Sequence, residues 1–253
     1  MCGRYASSRR PEDLVEEFKI DENQVKEALA PDYNVAPTKS VYAVLQRPTR
    51  EEDAQQPTAR QLRLVTWGLV PFWAKDPAIG NRLINARVET AAEKPAFRRA
   101  FAARRCLIPA DGYYEWYATS QKNASGRPVK QPFFIHPADG GVLAMAGLYE
   151  IWRDPTRAED DPERFRWTCT VLTTTAEDSL GRIHDRMPLL VEPERYSQWL
   201  DPEVSGAEDL RGLLVPAAPG RLEAYPVSTR VNNVKNNGPD LVEPVEPEPE
   251  AMP

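Results

Sequence analysis

The chain has 253 residues, 41% hydrophobic and 28% charged, which is enough apolar side chain for one large packed domain. Its net charge is −6, but five acids and no base lie between Pro239 and Pro253, so the rest of the chain carries only −1 and charge alone does not exclude a nucleic-acid partner. No apolar run approaches the ~20 residues of a membrane span, the start Met-Cys-Gly-Arg-Tyr-Ala lacks a signal-peptide core, and Cys2, Cys106 and Cys169 are too scattered for a disulfide framework, so a cytoplasmic protein is expected.

Taken in chain order, Pro11–Phe18 places Leu14, Val15 and Phe18 on one face of a helix. Asp21 is positioned to cap a second short helix that buries Val25 and Leu29. Val41–Gln46 and Leu62–Trp67 read as strands, being rich in β-branched and aromatic residues. Thr49–Gln61, polar and containing Pro57, reads as a mobile surface loop. Ala96–Ala103 reads as a helix. Cys106–Pro109, Tyr113–Tyr117, Phe133–His136, Val142–Ala146 and Trp167–Thr174 read as further strands. Arg153–Arg164, rich in acids and prolines, reads as a second mobile loop, and Pro193–Trp199 as a last helix.

The apolar pattern runs without a linker from Tyr5 to about Val231, whereas residues 239–253 form a Pro/Glu-rich tail expected not to fold. The reading is one domain over residues 1–238 followed by an acidic tail. Strands outnumber helices and do not alternate regularly with them, which disfavours a doubly wound α/β sheet. The expected class is α+β: a single domain with a curved, mostly antiparallel, barrel-like sheet and peripheral helices. A monomer is the default.

No CxxC pair or HExxH is present, and the only histidines are His136 and His184, so no metal site is expected. With no Walker loop, GxGxxG or GxSxG elbow, no cofactor is expected either. Any catalysis falls to the chain's own side chains.

Four segments carry such chemistry. Cys2 becomes N-terminal if Met1 is removed; it then holds an α-amine, neutral in useful fraction near pH 7, beside a thiol. A neutral amine attacks an aldehyde to give an imine, and the neighbouring thiol closes a five-membered thiazolidine. The plainer reading is a residue that merely follows the start codon. Glu115, within Gly112-Tyr-Tyr-Glu-Trp116, is a carboxylate in an aromatic run; burial there raises its pKa unless a cation such as the N-terminal ammonium faces it. The plainer reading is a solvent-facing glutamate between core aromatics. His184 is a candidate acid, and Arg186 shares its face in an extended segment, though a lone histidine is commonly structural. Asn85 suits a sugar or carbonyl oxygen and Arg87 a phosphate, or else the segment is a turn or cap.

Together these motifs resemble the SOS-response-associated peptidase (SRAP) family. The resemblance rests on Met1-Cys-Gly-Arg4, Tyr33-Asn-Val-Ala-Pro-Thr38, Trp67-Gly-Leu-Val-Pro-Phe-Trp73 and Asn85-Ala-Arg-Val-Glu-Thr90. It continues through Arg105-Cys-Leu-Ile-Pro-Ala-Asp-Gly-Tyr-Tyr-Glu-Trp116, Leu172-Thr-Thr-Thr175, His184-Asp-Arg-Met-Pro188 and Val231-Asn232. These segments follow the family's order across nearly the whole body. The resemblance implies the SRAP fold and covalent capture of abasic sites in single-stranded DNA through the N-terminal cysteine as a thiazolidine. It implies Cys2 as nucleophile, Asn85 as positioning group, Glu115 as orienter of the amine and His184 as acid/base. Arg4, Arg87 and Arg186 are the implied phosphate contacts, with Asn34 and Trp67 completing the DNA surface. Nearby arginines are expected to lower the Cys2 thiol pKa. Autocatalytic removal of Met1 and DNA lyase activity are further implications.

The vertebrate form's extra C-terminal motifs are missing, which favours a bacterial-type protein, nucleoid-associated when on DNA. Two other readings stay open: a thiol peptidase using the same Cys2, and a non-covalent binder of modified or damaged DNA.

Overall fold

The computed structural model describes residues 2–48, 58–176, 178–216 and 220–246. Its strands are β1 (Tyr5–Ser7), β2 (Glu22–Asn23), β3 (Asp32–Val35), β4 (Ser40–Pro48), β5 (Thr58–Trp67), β6 (Asn85–Arg87), β7 (Arg105–Ala110), β8 (Gly112–Lys122), β9 (Pro128–Pro137), β10 (Leu143–Arg153), β11 (Phe165–Thr175), β12 (Arg186–Pro188) and β13 (Leu222–Pro226). The α-helices are short: α1 (Pro11–Glu17), α2 (Val88–Ala91), α3 (Arg98–Ala103), α4 (Tyr196–Leu200) and α5 (Ala207–Gly212).

Strands β5, β4, β7, β10 and β11 are neighbours in that order, and β11 returns to β5 through a short parallel ladder that sets Thr168 beside Thr66 and Cys169 beside Trp67. The result is a closed five-stranded barrel. A second, five-stranded sheet runs β13–β9–β8–β1–β3. Both faces of β7 and β10, and of the central parts of β4 and β11, are buried, which suits their longer apolar runs, whereas β5 alternates buried with half-buried residues. On β4, Val41, Ala43 and Leu45 join Val65, Cys106, Met145, Cys169 and Val171 in one cluster, while Tyr42 and Val44 join a second cluster with Leu14, Phe18, Phe101 and Trp199 of the helical segments. Helices do not fit inside five strands, so the second cluster is the barrel's outer face and the first its interior. Small residues suit so narrow an interior: a Cβ on Gly147 would lie 2.9 Å from Cys106 Sγ. The interior cluster extends to Cys2, Tyr5 and Tyr113, which ties the chain start to the barrel.

The α+β class and the barrel-like, mostly antiparallel sheet agree with the sequence reading, and each expected strand lies within or overlaps an observed one. Several local expectations require correction. The helix expected after Asp21 is replaced by β2, which pairs in parallel with β5. Asp21 accepts from the Arg60 N–H (2.8 Å) and donates its own N–H to Arg60 O (2.9 Å). The open edge of β5 satisfies this backbone better than one isolated helical turn does. Val25 and Leu29 still pack against the outer cluster. Thr58–Gln61, expected in a loop, belongs to β5 and pairs with Leu45–Pro48; residues 49–57 lie outside the described residues. The 153–164 segment is held rather than loose: Arg157 bridges Asp161 (2.8 Å) and Glu163 (2.9 Å), and Asp154 accepts from Thr156. The tail is also partly folded. Pro239–Val242 forms a 3-10 turn with Leu241 fully buried, Tyr225 Oη donates to Val242 O (2.7 Å), and the Val245 N–H donates to Pro226 O (2.9 Å). Composition hid the apolar anchor at Leu241, beside which Val242 packs on the same cluster; residues 247–253 lie outside the described residues.

Among the described residues, no helix is long and apolar enough to cross a membrane.

Candidate active site at the chain start

Pairing of β1 with β8 decides where Cys2 goes. Tyr5 lies opposite Tyr113, and the Tyr114 N–H donates to Arg4 O (2.9 Å), so the antiparallel register carries Cys2 and Gly3 alongside Glu115. Asn85 arrives from β6, which lies parallel to β11 with Asn85 beside Val171. Its height is set by a close crossing of two glycines: a Cβ on Gly68, at φ +131°, would lie 2.8 Å from Gly80 O, so the segment leading to β6 can pack against the end of β5 only with glycine there. His184 precedes β12, whose Arg186 pairs with Thr175 of β11.

Four candidates meet at this point. Asn85 Nδ2 donates to the Cys2 carbonyl (2.7 Å), fixing the residue's backbone. Asn85 Oδ1 is buried, and no donor among the described residues reaches it, which leaves an acceptor for an amine or a sugar hydroxyl. His184 Nε2 stands 4.0 Å from Glu115 Oε2. Glu115 is 3% exposed, and burial raises its pKa to about 7, against the ordinary 4.5. A carboxylate poised there both accepts and returns protons at neutral pH. Burial lowers the pKa of His184, which keeps the ring neutral at pH 7.

The thiol departs from expectation. Cys2 is fully buried, and burial, reinforced by Glu115, pushes its pKa well above the ordinary thiol value. No arginine lowers it, so a standing thiolate is disfavoured and the thiol proton must leave as the sulfur attacks.

The expected DNA contacts fare unevenly. Trp67 is 1% exposed, donates Nε1–H to Ile84 O (2.9 Å) and packs edge-on against Tyr5, so it is a core residue and not a platform for a base. Asn34 is fully buried; its Nδ2 donates to the carbonyls of Val231, Asn233 and Asn236, so it anchors the C-terminal segment instead of touching DNA. Arg186 is buried and makes a two-pronged pair with Glu89 (2.6 and 3.0 Å), with a further bond to Thr173 O (2.5 Å). Its charge is thereby used to hold β12 against β11 and α2. Arg4 is half-buried, and its Nη1 donates to Asn34 Oδ1 (2.7 Å) and Val231 O (2.9 Å), so it braces the chain start. Of these five residues only Arg87 is exposed.

Sequence reasoning missed two groups. Lys130 on β9 acts electrostatically on both Glu115 and His184, and Trp116, half-buried on β8, bonds Asn232 Oδ1 (2.7 Å) with the Arg4 guanidinium 5.9 Å from its ring. Trp116 was legible as the neighbour of Glu115. Lys130 carried no local signal, because only the pairing of β9 with β8 brings it near. Among the described residues, no group of three or more His, Cys, Asp or Glu side chains is arranged to hold a metal.

Comparison with known proteins agrees with the architecture. The chain is 39% identical over 243 residues to abasic site processing protein YoqW of Bacillus subtilis, covering 96% of this chain and 99% of that protein. It is 36% identical over 250 residues to abasic site processing protein YedK of Escherichia coli, covering 97% and 100%. A crystal structure of a Bacteroides thetaiotaomicron protein shares the fold, with a TM-score of 0.77 at 24% identity over 97% of this chain and 100% of that one. The model of the family described as SOS response associated peptidase (SRAP) matches residues 1–234. With that match covering nearly all of the domain, the chain belongs to the SRAP family.

Proposed function

We propose that this protein captures abasic sites in single-stranded DNA by forming a thiazolidine between Cys2, freed of Met1, and the C1′ aldehyde of the lesion. The observation that carries this reading is the convergence of Asn85, Glu115 and His184 on the residue that begins the mature chain. Relatives named as abasic site processing proteins match over almost their full length, which supports the same assignment.

The chemistry follows from the groups present. An abasic sugar is mostly a closed hemiacetal, and opening it transfers the hydroxyl proton away as the ring oxygen gains one. His184 supplies the proton. The Cys2 amine then attacks the aldehyde carbon, and Glu115 relays the two nitrogen protons in turn to the former aldehyde oxygen, which leaves as water to give the imine. In the last step the Cys2 Sγ–C1′ bond forms, the C=N double bond becomes single, and the thiol proton passes by way of Glu115 to the nitrogen. A buried thiol with a raised pKa suits this order, since proton and sulfur move together. Asn85 Nδ2 holds the Cys2 backbone, while its Oδ1 receives the amine or the sugar hydroxyl.

Arg87 is the proposed phosphate contact and Trp116 the proposed stacking surface, which gives the encounter a salt dependence. A single strand presents the sugar without the cost of unpairing a duplex. The family's name supports a second reading, cleavage of the Met1–Cys2 bond by the same site, which would generate the reactive terminus.

The test is a gel shift with an abasic oligonucleotide, run under denaturing conditions. Wild type is expected to give a heat-stable adduct and Cys2→Ala none. Cys2→Ser keeps the amine but lacks the thiol, so it is expected to give a transient imine and little stable product. A normal heat-stable adduct from Cys2→Ser would refute the thiazolidine.

A further inference from the structure

The His184 ring has two neighbours at one nitrogen. The Arg186 backbone N–H donates to Nδ1 at 2.9 Å, and Asp185 Oδ1 lies 3.0 Å from the same atom. These contacts require opposite protonation states. A nitrogen that accepts the Arg186 N–H carries no proton, so the neutral ring holds its proton on Nε2, the atom facing Glu115 at 4.0 Å. A protonated Nδ1 cannot accept from Arg186 and instead donates to the Asp185 carboxylate.

We propose that Asp185 is a positioning residue for His184: its carboxylate accepts a hydrogen bond from Nδ1–H when the ring charges, so that His184 takes up a proton on its solvent side and delivers one from Nε2 on its pocket side. The balance is simple. The neutral Nε2–H ring gains one proton at Nδ1 and becomes imidazolium; the Nε2 proton then passes to the substrate oxygen and leaves a neutral Nδ1–H ring held by Asp185. Releasing that proton to water and regaining one at Nε2 resets the site. Asp185 is 87% exposed whereas Glu115 is 4% exposed at the side chain, so the two sides of the ring differ in access to solvent. Among the described residues, the charged groups around the ring are Glu115 from β8, Lys130 from β9 and Asp185 beside it. The Arg186 guanidinium is turned away into Glu89. Of these, Asp185 is the acid on the Nδ1 side.

The purpose assigned to this relay rests on the crosslinking reading, but its test does not. With only two histidines in the chain, imidazole 15N NMR of the full-length protein without DNA resolves His184 from His136. The expected result is a neutral His184 with Nε2 protonated and Nδ1 bare. In Asp185→Asn the His184 pKa should fall by roughly 0.2–0.7 pH unit, the size of an exposed ion pair. About 1 M salt should erase the difference and Asp185→Glu should restore it. A neutral ring protonated at Nδ1, or an unchanged pKa in Asp185→Asn, would overturn the proposal. The pH profile of adduct formation, taken on the same proteins, should move by the same amount. If wild type forms no adduct, the crosslinking reading fails while the NMR result still decides the relay.

Discussion

Replacing Glu115 by glutamine should stabilise the fold and impair the chemistry, and the stability gain should depend on pH. The folded-state pKa of about 7 stands above the ordinary 4.5, because burial disfavours the charged form. The sign follows from that order. Below about 4.5 the carboxyl is protonated in both states and contributes no penalty. Between about 4.5 and about 7 the unfolded chain ionises first, so stability is lost as pH rises, and above about 7 the loss is complete. At 1.36 kcal/mol per pH unit, the full penalty is roughly 3 kcal/mol. Glutamine has the same shape and no charge, so it removes the penalty. Urea unfolding of both proteins with matched N-termini should coincide at pH 4 and differ by about 3 kcal/mol at pH 8, a Tm difference of roughly 6–12 °C. Parallel stability curves across that range would refute a buried, raised Glu115. A stability gain joined to slower adduct formation would mark Glu115 as a residue kept for chemistry at the fold's expense.

Other outcomes follow from single residues. Trp67→Ala, which empties a fully buried site, should cost about 3–5 kcal/mol by denaturant unfolding. Trp67→Phe should recover most of that cost and restore adduct formation, whereas a base-stacking role for Trp67 would show as lost DNA affinity in a folded Trp67→Phe protein. Leu241→Ala should cost about 2–5 kcal/mol, since that side chain is fully buried; no change in stability would mean that residues 239–246 do not belong to the folded unit in solution. Asn85→Ala removes the bond to the Cys2 carbonyl and should slow adduct formation by roughly 5- to 30-fold, the rate equivalent of about 1–2 kcal/mol, in single-turnover kinetics.

Where the sequence was legible, local pattern and final environment coincide. The strand over Trp167–Thr174 reads correctly because its run of β-branched residues suits a strand buried on both faces. The chain start was legible as chemistry, because only a cysteine at that position can offer an amine and a thiol together. What pattern conceals is which polar side chains are used internally. Nothing local distinguishes Arg87, exposed at the end of β6, from Arg186, whose charge is taken by Glu89, a residue 97 positions away. Asn34 reads as a surface polar group, yet it anchors carbonyls about 200 residues along the chain. The helix expected after Asp21 failed for a related reason: the competing partner was the distant edge of β5.

Intact-mass analysis of the purified protein, before and after incubation with a single-stranded abasic oligonucleotide, reads Met1 loss and covalent capture together. The expected result is a chain lacking Met1 that then gains the oligonucleotide's mass less one water, stable to denaturant. A chain that keeps Met1, or one that loses it and acquires no mass from the DNA, would contradict it.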